Sequence, residues 1–278
     1  PRFRGPDGSG VSTYPNPPIT WDGETGEGIL WKSPVELPGR NSPVVWEKRV
    51  FLTGATEDAR SVYCFDADSG KLLWQCAVGF TPESQSKKPK VMKDTGFAAP
   101  TVATDGQRVY AIFASGDLVA VDFEGKLIWL KGFGVPDNSY GHASSLCTYR
   151  DWVIVQLDQG TPDDKLSKLV AVEGATGNIV WETTRPTGNA WTSPIVAQVA
   201  GKDQLITVAD PLVISYNPAD GKECWRFEGT TGDCGPSPIA FRDLVIAGGE
   251  YSYYMFAIRA DGTGDVTATH KVWEAEEA

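Results

Sequence analysis

The stretch C-F-D-A-D-S-G-K-L-L-W, from Cys64 to Trp74, is a short apolar run, a polar turn with Gly, two more apolar residues and a closing Trp. The phrase returns as A-V-D-F-E-G-K-L-I-W (Ala120 to Trp129), A-V-E-G-A-T-G-N-I-V-W (Ala171 to Trp181) and S-Y-N-P-A-D-G-K-E-C-W (Ser215 to Trp225). A looser copy runs from Ala257 to Trp273, and G-I-L-W ending at Trp31 is an orphan copy. Gly suits the turn because a tight reversal often asks for positive φ. A period of roughly 40–55 residues with strand–turn–strand content is the mark of a β-propeller blade.

A second phrase precedes each Trp phrase: a small polar residue, often with Pro, then an apolar run. It reads N-S-P-V-V at Asn41, A-A-P-T-V at Ala98, A-S-S-L at Ala143, T-S-P-I-V at Thr192 and P-S-P-I-A at Pro236. Each opens a strand, and a β-branched or aromatic strand follows after a turn. With the two halves of the Trp phrase this makes four antiparallel strands per unit. The expected fold is an all-β propeller after an N-terminal extension over 1–28. Its blades are expected at about 42–76, 98–131, 143–183, 192–227 and 236–275. Each phrase Trp is expected on a fourth strand, largely buried, with its indole N–H bonded to the next blade. Ile29 to Trp31 is expected as an orphan fourth strand.

The 278 residues carry a net charge of −11, which argues against a phosphate-tracking surface, since nucleic-acid affinity rests on clustered Lys and Arg. Lys87, Lys88, Lys90 and Lys93 sit in a loop and read as a solvated insertion. No run of about 18 apolar residues offers a membrane span. The chain starts at Pro1 without Met, and a removed leader is expected. Five cysteines, none adjacent and none in C-x-x-C, exclude a redox or zinc motif and read as small core residues. A Cys224–Cys234 disulfide stays open, because a strand end and the following loop can meet.

The Trp phrase, with a small residue at its start, Asp in the middle and T-G or its equivalent before the Trp, resembles the tryptophan-docking motif of pyrroloquinoline-quinone-like β-propellers. P-R-F-R-G-P-D-G-S-G (Pro1 to Gly10) and G-T-G-D-V-T-A-T-H-K-V-W (Gly262 to Trp273) look like a secreted planctomycete branch of that group. The resemblance implies docking roles for Trp31, Trp74, Trp129, Trp181, Trp225 and Trp273. It also implies further repeats beyond the last Trp phrase, in a parent of seven or eight blades. Missing C-terminal blades or a second chain would then complete the ring. The group includes quinoprotein alcohol dehydrogenases, which bind the quinone with calcium and use an Asp base, often beside adjacent cysteines. It also includes the outer-membrane assembly lipoprotein, an interaction scaffold without a cofactor. Lacking adjacent cysteines and an assignable calcium set, this chain resembles the non-catalytic side.

In a propeller the first strands line a central channel, and the residues just before them ring one mouth. That singles out Arg40, Asn41, Phe97, His142, Trp191 and Asp233, with neighbours Gly96, Gly141, Asn189 and Cys234, as candidates for a ligand site. A water-filled channel lined by ordinary loop residues is the plainer alternative. His142 is one of two histidines, too few for zinc. As a general base it needs a carboxylate, and Asp158 is the candidate, unless Asp158 is a turn residue. His270 reads as structural. The acidic clusters Glu57-Asp58, Asp163-Asp164 and Glu274 to Glu277 lack the D-x-D-x-D-G calcium spacing.

The expected function is therefore a non-catalytic exported scaffold, periplasmic or extracellular, with a protein or glycan partner and neither cofactor nor metal. A quinoprotein oxidoreductase using pyrroloquinoline quinone and calcium is the first alternative. A structural cell-envelope or matrix component is the second. The long loops Phe80 to Thr95 and Thr161 to Ser167 favour an interaction surface.

Overall fold

Runs such as Val62 to Phe65 and Leu169 to Val172 are apolar at every position, so they need cover on both faces. In the computed structural model, which describes residues 1–12, 14–249 and 254–276, neighbouring sheets supply it. The first blade is β1 (Val44–Trp46), β2 (Arg49–Ala55), β3 (Arg60–Asp66) and β4 (Leu72–Ala77). A short helix, α1 (Pro82–Ser86), lies before the second: β5 (Ala103–Thr104), β6 (Arg108–Ile112), β7 (Asp117–Asp122) and β8 (Leu127–Gly132). The third is β9 (Cys147–Tyr149), β10 (Trp152–Leu157), β11 (Lys168–Glu173) and β12 (Ile179–Thr184). The fourth is β13 (Ile195–Val199), β14 (Lys202–Ala209), β15 (Leu212–Tyr216) and β16 (Glu223–Glu228). The fifth is β17 (Ile239–Phe241), β18 (Leu244–Gly248), β19 (Tyr254–Arg259) and β21 (Lys271–Glu276). The two-residue β20 (Gly264–Asp265) instead pairs in parallel with β16 of the fourth blade.

The four strands of each blade are antiparallel in chain order, so the fold class is the all-β propeller that the repeat predicts. One row of directly paired residues recurs across every blade. It reads Val44–Phe51–Cys64–Trp74, Ala103–Tyr110–Ala120–Trp129 and Cys147–Ile154–Ala171–Trp181. The fourth and fifth blades give Ile195–Ile206–Ser215–Trp225 and Ile239–Ile246–Ala257–Trp273. A small residue always faces the Trp. The register slips just before the Trp in all five blades, leaving Leu73, Ile128, Val180, Cys224 and Val272 as the extra residue of a bulge. A bulge bends the strand and re-aims the next side chain, which turns the Trp toward the neighbouring blade.

Trp74 stands over Gly125 of the next blade and donates its indole N–H to the Phe123 carbonyl at 2.8 Å. Trp129 does the same over Gly177 to Gly174 at 2.8 Å, and Trp181 over Gly221 to Pro218 at 3.1 Å. At Gly125 φ is +87°, and a Cβ would meet the Trp74 ring at 2.7 Å. Two separate constraints therefore demand glycine there. Burial differs from the expectation. Only Trp225 is fully buried; Trp31, Trp74, Trp129 and Trp181 are half-buried and Trp273 is 39% exposed, because the outer strands border solvent.

One further expectation is corrected and one open reading is closed. Ile29 to Trp31 is not a strand. Trp31 nonetheless caps the first blade, over Gly70 and bonded to the Ala67 carbonyl at 2.9 Å. The five cysteines are all free, so Cys224 and Cys234 are not bridged. Buried ion pairs add to the seams: Arg60 to Asp117 at 2.6 Å between the first two blades, and Arg185 to Asp158 at 2.7 Å where the third meets the fourth. The N-terminal residues lie against the inner strands. The Pro1 carbonyl accepts from Thr104 N–H, and the Arg2 and Arg4 guanidinium groups donate to the carbonyls of Val196 and Ser237.

Candidate functional site at the channel mouth

The segments leading into the inner strands are tied by a relay that the sequence phrases only partly reveal. Ser42 N–H donates to Thr101 Oγ1, and Thr101 N–H donates to Ser145 Oγ, both at 3.0 Å. Ser145 N–H donates to Ser193 Oγ at 3.0 Å and Ser193 N–H to Ser237 Oγ at 2.9 Å. Each hydroxyl residue stands two positions before the first residue of its row. Aligning the phrases on Pro hides Thr101, which follows Pro100 where the first, fourth and fifth blades place the hydroxyl before Pro, and misses Ser145, which has no Pro beside it; counting back from the strand recovers both.

Only part of the expected ring of candidate residues converges. Trp191 and Asp233 line one pocket of about 270 Å³ with Thr95, Tyr140, Ala143 and Gly235. The Trp191 ring meets Tyr140 edge-on at 5.0 Å, and its N–H donates to Asn138 Oδ1 at 2.8 Å. Tyr140 and Asn138 carried no motif; only the fold brings them beside Trp191. Arg40 is exposed and makes a backbone bond to the Ala98 carbonyl. Asn41 is spent on the seam: its amide donates to the carbonyls of Thr53 and Ala98 and its Oδ1 accepts from Thr53 N–H. Phe97 packs into the core shared by the first two blades.

The candidate acid–base residues His142 and Asp158 are each hydrogen-bonded elsewhere. The His142 Nε2–H donates to the Ser144 carbonyl at 3.0 Å, which fixes the neutral tautomer. Burial pulls this imidazole down to about 4, against the opposing pull of the Ser144 carbonyl. Asp158 is not a turn residue. Its carboxylate receives both Arg185 Nε and Nη2, at 2.7 and 3.1 Å, and the Gln156 amide at 2.7 Å. Burial lifts Asp158 above the usual carboxylate range while Arg185 pulls it back. Arg185 itself was not foreseen, since it lies 27 residues from its partner. The buried Cys147 thiol is pushed up to about 11 and Cys234 to about 12 by desolvation, which suits inert core residues.

Calcium prefers several oxygen ligands. Among the described residues no three His, Cys, Asp or Glu side chains group as a metal site. The buried carboxylate near the mouth, Asp158, already holds a guanidinium. Asp158 is therefore not free to serve as a cation ligand.

A family profile described as outer membrane protein assembly factor BamB matches residues 10–142 and 151–276. No curated protein matches the chain in sequence. Among solved structures, BamB from Moraxella catarrhalis superposes with a TM-score of 0.65 at 15% identity, covering 91% of this chain and 69% of that one. A quinohemoprotein alcohol dehydrogenase from Pseudomonas putida HK5 gives 0.58 at 15% identity, covering 84% of this chain. The quinohemoprotein alcohol dehydrogenase from Comamonas testosteroni gives 0.59 at 14%, covering 82%. This chain spans only 42% of either dehydrogenase. Identities this low show a shared fold and leave chemistry to the site.

Proposed function

The chain belongs to the family of the outer membrane protein assembly factor BamB, and from that premise we propose that it is a non-catalytic, exported scaffold that holds protein partners at the cell envelope. One observation carries this reading. On three successive blades the outer strand turns aliphatic pairs to solvent: Leu72 and Leu73, Leu127 and Ile128, Ile179 and Val180, each 39–47% exposed. Repeated apolar groups along the outer strands suit a protein contact. The mouth supports the same side of the question, because the polar groups of Asn41, His142 and Asp158 are already taken by Thr53 and Ala98, by Ser144, and by Arg185 and Gln156. No helix among the described residues is long and apolar enough to cross a membrane. In this reading the scaffold needs no cofactor.

Photo-reactive side chains placed at Leu73, Ile128 and Val180 in the source cell test the reading. Cross-links to envelope proteins from these positions, and none from Tyr140 at the mouth, are expected. Cross-links from Tyr140 alone would move the function to the channel. Mixed with pyrroloquinoline quinone and calcium, the protein is expected to show no alcohol-dependent dye reduction. Reduction that disappears on chelation and returns with calcium would promote the dehydrogenase alternative.

A further inference from the structure

The pocket at the channel mouth is held from behind by one buried side chain. Asn138 is 6% exposed, and its Oδ1 accepts twice, from the Trp191 indole N–H at 2.8 Å and from the Tyr140 backbone N–H at 3.0 Å. Its Nδ2 donates to the Asp158 carbonyl at 3.4 Å, which ties it to the third blade. Gly141 fixes the same turn: at φ +66° a Cβ would meet the Ala114 Cβ at 2.8 Å. Trp191 is pinned a second time, through its backbone N–H to the Cys234 carbonyl at 3.0 Å, beside Asp233. The outcome is a preset aromatic corner. The Trp191 and Tyr140 rings stand at 77° with centroids 5.0 Å apart, and both residues are half-buried. Asp233 and Thr95 border the same space of about 270 Å³. Among the described residues its lining holds one Asp and no Glu, Lys, Arg or His.

We propose that this corner binds a small organic quaternary ammonium ion of the choline type. The face of an aromatic ring is the negative side of its quadrupole, and a cation resting between two nearly perpendicular rings can lie within about 6 Å of both centroids. The acidic Asp233 and the net charge of −11 pull the same way. The alkyl groups matter as much as the charge. A primary ammonium carries three N–H donors, and ring faces offer them poor replacements for water. A fully alkylated nitrogen has no donor to satisfy and lays its methyl groups on the rings. A sugar suits the corner less, because the Trp191 N–H is already spent on Asn138 and few lining groups are left to answer a ring of hydroxyls. An anion would meet Asp233. Size agrees: pockets for drug-sized ligands span roughly 300–1,000 Å³, so about 270 Å³ suits a smaller one. Rings locked in advance by Asn138 cost the ligand little ordering on binding.

The test is calorimetric titration of the full chain with choline and with its neutral tert-butyl analogue, in which carbon replaces the nitrogen. Choline is expected to bind roughly tenfold more tightly than the analogue, the share of the cation–π attraction. Trp191→Ala should abolish choline binding, and Tyr140→Phe, which keeps the ring face, should leave it nearly unchanged. Asp233→Asn keeps the shape and removes the charge, so it should weaken choline several-fold and leave the neutral analogue as it was. In case Trp191→Ala does not fold, Asp233→Asn decides. Equal affinity for choline and its analogue would reduce the corner to an apolar hollow and overturn the proposal. Choline binding that survives Trp191→Ala, or no choline binding at all, would do the same. A methyl glucoside that binds better than choline and is lost with Trp191→Ala would make this a sugar site and sink the ammonium reading. A small ligand at the mouth leaves cross-links from Leu73, Ile128 and Val180 untouched, so this proposal and the scaffold reading fail independently.

Discussion

The inner and outer ends of the blade seams follow the same repeat with different strictness. At the inner end four seams carry four N–H to hydroxyl bonds, all within 2.9–3.0 Å. At the rim the rule breaks once. Trp225 is fully buried and gives its N–H to Gln204 Oε1 in its own blade at 2.8 Å, not to the next turn. The cause is the longer turn between β19 and β21, which lays Gly264–Asp265 along β16 and covers the indole. Gln204 is anchored in turn to the Val199 and Ala260 carbonyls. Inner strands of neighbouring blades touch, so an added residue there has no room. At the rim the blades splay, and a longer turn only fills space.

The largest expected effect breaks or confirms that contrast at the rim. Trp225→Ala should cost about 5 kcal/mol, at the upper end for truncating a buried aromatic, and the half-buried Trp181→Ala about 3 kcal/mol. Chemical denaturation measures both; equal losses would mean that burial of the indole is not what separates the two seams.

The inner end predicts a pH dependence. Burial holds His142 near 4 in the fold, below the ordinary imidazole value of about 6.5. The unfolded chain therefore binds the extra proton between those values, so stability falls as pH drops from about 6.5 to about 4. Above 6.5 this group contributes no pH dependence. The loss approaches about 3 kcal/mol at the low end. His142→Gln, which keeps a donor for the Ser144 carbonyl, should remove that part of the slope in denaturant titrations at pH 7 and 4.5. An unchanged slope would show that His142 is accessible to protons in the folded state.

Glycine substitutions sharpen the rim. Gly125→Ala adds a Cβ 2.7 Å from Trp74 at φ +87°, while Gly264→Ala, at φ +70°, meets nothing within 4 Å. Backbone strain alone costs roughly 1 kcal/mol, so Gly264→Ala should stay near that value and Gly125→Ala reach about 2 kcal/mol. The smallest effect belongs to one bond of the inner relay. Ser145→Ala strips the acceptor from Thr101 N–H and should cost about 1 kcal/mol, with Ser145→Thr close to neutral in thermal unfolding.

The phrases that closed on Trp74, Trp129, Trp181 and Trp225 carried the blades, because turn chemistry and strand alternation act over a few residues and leave their marks in order. The hydroxyl relay is half-legible: Ser42, Ser193 and Ser237 each precede a Pro as an obvious series, whereas Thr101 follows its Pro and Ser145 has none. The mouth was legible as a set of positions and not as a site, since loop residues so close together in sequence can face the pocket, the seam or solvent. Trp191 and Asp233 face the pocket; Asn41 faces the seam; Arg40 faces solvent.

By itself the sequence determined an all-β chain of four-stranded repeats, the glycine at each Trp turn and the absence of a metal or redox motif. Only the tertiary structure decided that Asp158 answers Arg185 and not His142, that Trp225 turns to Gln204, and that Arg2 and Arg4 reach the inner strands. Those outcomes join residues far apart in the chain. Which of several equally polar or apolar groups becomes a partner depends on which blade lies alongside, and burial then makes that choice binding, because a desolvated charge or N–H must take the partner within reach.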